Sequence, residues 1–103
     1  MKTKVAVLYE TNTPLVVETL DLDDPKEGEV LVRIVAAGVC YSDYHLIKGE
    51  WSHPLPAVLG HEGAGVVESV GLGVTRVEPG QHVILNFRAN CGTCHYCIVG
   101  RPV

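Results

Sequence analysis

Eleven glycines and six prolines cut this 103-residue chain into short apolar runs. Both residues interrupt regular structure, so no long helix fits between the breaks. The runs themselves are rich in β-branched residues. Residues 5–9 read as a strand, Asn12-Thr13-Pro14 as a turn, and residues 15–20 as a returning strand, which together predict a hairpin. Residues 29–37 form the strongest strand; their nearly continuous apolar character predicts a central position in a sheet. Further strands are expected at 65–71 and 81–85, the latter entered through the tight turn Glu78-Pro79-Gly80. Residues 42–47 suit one or two helical turns ended by Gly49, and 51–56, with two prolines, should be irregular. The expectation is one mainly β domain, a barrel or sandwich with short helical turns.

Composition narrows the function classes. Apolar residues make up 47% and charged residues 19%, which excludes a disordered chain. Eight Lys and Arg stand against twelve Asp and Glu, a formal charge of −4. The basic residues are scattered from Lys2 to Arg101, so no nucleic-acid face is expected. No apolar run has the length of a membrane span, and the first residues lead straight into a strand rather than a signal peptide. A cytoplasmic protein with no membrane partner is expected. There, four cysteines read as metal ligands or reactive thiols, with an extracellular disulfide framework as the alternative.

Three of these cysteines, Cys91, Cys94 and Cys97, recur every third residue in a Gly-rich loop. Turns of this kind aim backbone amides at sulfur and bring three thiolates to one point, the start of a tetrahedral structural zinc site. A reduced thiol cluster or a redox pair is the other reading. His95 and His82 are the possible fourth ligands within the chain.

The fourth cysteine, Cys40, lies in Gly38-Val39-Cys40-Tyr41-Ser42-Asp43-Tyr44-His45, upstream of Gly60-His61-Glu62-Gly63-Ala64-Gly65. A soft thiolate and an imidazole on separate turns suit one metal ion that keeps a position open for water or substrate. Glu62 would tune that site or bind the metal transiently, and Asp43 would accept the second ring hydrogen of His61. Ser42 and His45 are the proton-handling candidates. Trp51 and Phe87 are pocket-wall or core residues. Each residue also has a plainer reading: Cys40 as a buried apolar side chain, Ser42 as a helix cap.

Taken together, these motifs resemble zinc-dependent, medium-chain alcohol dehydrogenases, in the N-terminal part of their catalytic domain. Gly60-His61-Glu62, Gly65, Gly71 and Val74 fit that family's zinc signature, and the Cys40 and Cys91–Cys97 motifs fit in the same order. The resemblance runs from Lys4 to Val103 and implies a GroES-like β-barrel, partly open, without the Rossmann domain. It implies Cys40 and His61 as catalytic-zinc ligands, with Glu62 and Asp43 beside them. Ser42 and His45 match the proton relay, Trp51 and Phe87 the substrate pocket. Cys91, Cys94 and Cys97 match three of four structural-zinc ligands.

The same resemblance implies that both zinc shells are incomplete here. The family's fourth structural cysteine falls just past Val103, its third catalytic ligand comes much later, and the loop at 86–103 is therefore expected to be truncated. Tyr41 stands where relatives often carry Arg or His against cofactor phosphates, so that contact is weak. The implied parent oxidises a small alcohol to an aldehyde or ketone with NAD or NADP, as a dimer or tetramer; the 103 residues alone should be inactive. A free-standing zinc-binding module and a metal-free GroES-like interaction domain are the alternatives.

Overall fold

The computed structural model describes residues 1–88 and 90–101. Among these residues six strands and two short helices occur in the order β1 (Lys2–Leu8), β2 (Val16–Asp21), β3 (Val30–Ala37), α1 (Tyr41–Ile47), β4 (Ala57–Val58), β5 (Gly63–Val70), β6 (His82–Ile84) and α2 (His95–Ile98). They form two three-stranded sheets, ordered β2-β1-β4 and β3-β5-β6. The expected hairpin is present: β1 and β2 pair antiparallel from Lys2 opposite Asp21 to Val7 opposite Val16. Neither sheet closes on itself, in keeping with a partly open barrel.

One expectation is corrected. The apolar strand at 29–37 is not central; β3 is an edge, and β5 holds the middle of its sheet. An apolar run usually reports burial on both faces, but the second half of β3 is uncovered, with Val35 66% exposed. Two small elements were not anticipated. β4 adds two rungs beside the end of β1, and α2 makes one helical turn inside the cysteine loop.

The core is small. Among the described residues, Val7, Leu8 and Val67 are its buried hydrophobic side chains, from β1 and β5. The radius of gyration is 15.9 Å, against about 13 Å for a compact domain of about 100 residues. Much apolar surface stays open, including Ile84 at 86% exposure.

Pairing within the second sheet positions the site. β3 and β5 run antiparallel, with register shifts at Leu31/Val32 and Ile34/Ala36 that mark bulges, which bend strands. Their last rung pairs Ala37 with Gly63. The Gly38 N–H donates to the Glu62 carbonyl (2.8 Å) one step further. The exit of β3, toward Cys40, and the entry of β5, from His61 and Glu62, are thus tied at one end of the sheet. β6 ends there too, where the Leu85 N–H donates to the Gly63 carbonyl (2.9 Å) and the chain continues to Phe87.

Candidate metal centres and their surroundings

Cys40 is the N-cap of α1, with extended backbone. Its N–H donates to Asp43 Oδ2 (3.2 Å), and the Asp43 N–H donates to the Cys40 carbonyl (3.1 Å). This reciprocal pair holds the first turn as a capping box does. The Cys40 thiol thereby stands over the end of the β3–β5 pair. Donor atoms of Cys40, His61 and Glu62 lie within 4.8 Å of one another.

The approach requires Gly38. A Cβ there would sit 2.8 Å from Glu62 Oε2 and 3.2 Å from Glu62 Cβ, so Glu62 lies directly against the glycine. Asp43 Oδ1 is 3.7 Å from His61 Nδ1, too far for the hydrogen bond expected between them. The Phe87 ring meets the His61 ring edge-on, 5.7 Å between centroids. A cavity of about 810 Å³ opens here, lined by Cys40, His61, Glu62 and the apolar side chains of Ile84, Leu85 and Phe87.

Ser42 Oγ is buried and has no hydrogen-bond partner among the described residues. Leaving a buried hydroxyl unbonded costs about 1–3 kcal/mol, and Ser42 is not among the residues lining the Cys40–His61 cavity. His45 is half-buried. Its Nδ1 is paired with Glu50, and its ring lies 4.9 Å from that of Trp51. Trp51 lines a separate cavity of about 440 Å³ with Leu8, Thr11, Leu46 and Leu59, not the one holding Cys40 and His61. Tyr41 projects into solvent at the start of α1.

The cysteine loop is the second cluster. The sulfurs of Cys91, Cys94 and Cys97 lie within 4.8 Å of one another. Cys91 Sγ and Cys97 Sγ are 4.0 Å apart, near the ~3.8 Å edge of a tetrahedron with zinc–sulfur bonds of about 2.3 Å. The Thr93 hydroxyl (3.4 Å), the Thr93 N–H (3.4 Å) and the Cys94 N–H (3.3 Å) all donate to Cys91 Sγ. Led by that hydroxyl, these donors lower the Cys91 thiol to a pKa of about 6. The Cys97 N–H donates to Cys94 Sγ (3.5 Å), which starts α2. Neither His82 nor His95 joins this cluster among the described residues. The end of the expected 86–103 loop, 102–103, and residue 89 within it lie outside the described residues.

Both donor sets suit zinc: thiolate and imidazole in one, preorganised thiolates in the other. Sequence reasoning overlooked two polar partners. The signal for Thr93 was its place between two cysteines, and for Glu50 its place directly after the glycine that ends α1.

Among the described residues no helix is long and apolar enough to cross a membrane. The family model for the alcohol dehydrogenase GroES-like domain matches residues 26–103. The chain is 56% identical over 101 residues to the NDMA-dependent alcohol dehydrogenase of Amycolatopsis methanolica, covering 98% of this chain and 27% of that protein. Among solved structures, benzyl alcohol dehydrogenase from Acinetobacter calcoaceticus superposes with a TM-score of 0.89 at 37% identity, over 99% of this chain and 28% of that one. An alcohol dehydrogenase zinc-binding domain protein from Burkholderia ambifaria gives 0.91 at 41% identity, over 99% and 27%. The chain thus spans about a quarter of the length of these relatives.

Proposed function

The chain belongs to the alcohol dehydrogenase GroES-like domain family, and from that premise we propose that it supplies metal-holding and proton-handling residues to a dehydrogenase acting on small alcohols. The observation that carries this reading is the meeting of Cys40, His61 and Glu62 within 4.8 Å in an apolar-walled cavity. The reaction is oxidation of an alcohol to an aldehyde or ketone. When bound, zinc supplies Lewis acidity toward the alcohol oxygen, and a nicotinamide cofactor, NAD or NADP, accepts the hydride.

The chain's own residues divide the remaining work. Cys40 and His61 would hold the metal, with Glu62 against Gly38 as a neighbouring carboxylate. Asp43 fixes the turn that presents Cys40. The hydroxyl of Ser42 takes the alcohol proton and passes it toward His45, from which it leaves to water. Phe87, Ile84 and Leu85 supply the apolar wall beside the metal-holding residues. Cys91, Cys94 and Cys97 would hold a second, structural zinc. The cofactor would rest on sequence outside this segment, so the 103 residues alone should not turn over.

A hybrid enzyme tests this. These residues would replace the matching segment of a relative such as the benzyl alcohol dehydrogenase. Alcohol-dependent NAD reduction is expected, falling by at least about 100-fold in Cys40→Ser, since loss of even an outer partner of a metal ligand costs about 10–100-fold. A hybrid whose activity survives Cys40→Ser, or NADH formation by the 103 residues alone, overturns the proposal.

A further inference from the structure

We infer that Glu50 is a positioning residue: it holds His45 in the tautomer whose Nε2 is free to receive a proton. The inference rests on the relay reading of His45, but the geometry behind it is independent of that reading.

The argument begins with how α1 ends. Gly49 has φ +76°, and its N–H donates to the Leu46 carbonyl (3.1 Å). The Glu50 N–H donates to the carbonyl of His45 itself (2.9 Å). These two bonds define a Schellman cap with Gly49 at the left-handed position. Such a cap folds the residue after the glycine back onto the side chain one turn upstream. In such caps two apolar groups frequently meet there; here a carboxylate meets an imidazole. Glu50 Oε2 pairs with His45 Nδ1 as a result.

The cap is itself braced. The Asn12 N–H donates to the Ile47 carbonyl (2.7 Å), and Asn12 Nδ2 donates to the Lys48 carbonyl (3.1 Å). A Cβ on Gly49 would come 3.1 Å from Thr11 Cβ, so the β1–β2 turn packs on the cap. Trp51 lies over the His45 ring from the next residue but one after the glycine. Backbone, turn and ring together leave the imidazole little freedom to swing away.

The chemical consequence follows from donor capacity. An ionised carboxylate only accepts, so Nδ1 must carry the proton. In the neutral ring Nε2 is then the bare nitrogen and the base. Without Glu50 the neutral ring would exchange tautomers where it stands, and only part of the population would present a bare Nε2.

Histidine 15N–1H correlation spectra of the 103-residue protein, recorded at alkaline pH where free imidazole is neutral, read the tautomer directly. The expected result is His45 protonated on Nδ1, shifting to Nε2 in Glu50→Leu. Leucine keeps the apolar contact usual in such caps, so the variant separates the acceptor from the fold. In the hybrid enzyme, Glu50→Leu should lower kcat about tenfold with KM nearly unchanged, a part of what a positioned acid–base group contributes. Glu50→Gln, which still accepts from Nδ1, should recover most of it. A wild-type His45 protonated on Nε2 overturns the inference, whether or not any variant folds. So does a kcat indifferent to Glu50→Leu. A hybrid with no alcohol activity sinks the dehydrogenase reading instead, and the spectra still decide the Glu50–His45 pair.

Discussion

Gly71 offers a severe test of the packing that supports the site's sheet. It follows β5 and lies against the turn before β3. A Cβ at Gly71 would fall 1.8 Å from the Lys26 carbonyl oxygen and 2.8 Å from its carbon. Real Cβ contacts stay above 3.0 Å, so Gly71→Ala forces the turn back by roughly 1.2 Å, an overpacking displacement. Two bonds join the segments: Gly71 N–H to the Glu29 carbonyl (2.7 Å) and Gly28 N–H to the Leu72 carbonyl (2.9 Å). Losing both costs about 1–3 kcal/mol, and overpacking strain adds about 1–3 kcal/mol. The sum, about 2–6 kcal/mol, is a large part of a small domain's stability. Urea unfolding followed by Trp51 fluorescence should show a midpoint lower by about 1 M or more. Gly73, two residues on, is the control. Its φ is +81°, but no atom lies within 4 Å of the added Cβ, so Gly73→Ala should cost only about 1–2 kcal/mol of backbone strain. Equal losses in the two variants, or less than about 1 kcal/mol for Gly71→Ala, would refute the steric argument.

Other expectations are narrower. Leu8 is fully buried, so Leu8→Ala should destabilise by about 2–5 kcal/mol, whereas Val17→Ala on the exposed face of β2 should stay within about 0.5 kcal/mol in the same denaturation assay. In metal-free protein the Cys91 thiolate forms as pH rises through about 6. Its alkylation by iodoacetamide, followed by mass spectrometry, should therefore climb through that pH, and Thr93→Val should move the midpoint upward; an ordinary thiol midpoint in wild type would refute the assigned donors. Asn12 has φ +60° and clamps the end of α1. Asn12→Ala should cost about 1–2 kcal/mol and speed amide exchange in α1 ahead of β5; unchanged α1 protection would count against the clamp.

How far the sequence reached is clearest element by element. The β1–β2 hairpin, α1 with its glycine stop, and β6 after its Pro-Gly turn were legible because their signals are local. β3 was legible as a strand but not as an edge. Its apolar run states what the side chains prefer, not whether anything covers them, and here Val35 stays open. α2 was hidden because cysteines three apart suit a sulfur-binding loop and a helical turn equally. Its onset depends on the Cys97 N–H reaching Cys94 Sγ.

The site shows the same division. Residue types and spacing within each motif named Cys40, Ser42, His45, His61 and Glu62 as chemistry-bearing, and the cysteine triplet as a metal loop. Those are short-range facts, set by covalent proximity and turn preference. That Cys40 and His61 share one point was decided by the antiparallel register of β3 on β5, which ties Gly38 to Glu62. That Trp51 turns to His45 rather than to the Cys40–His61 cavity was decided by the cap at Gly49. Register and cap geometry sum many weak contacts over distant residues, and no single segment of the chain carries that sum.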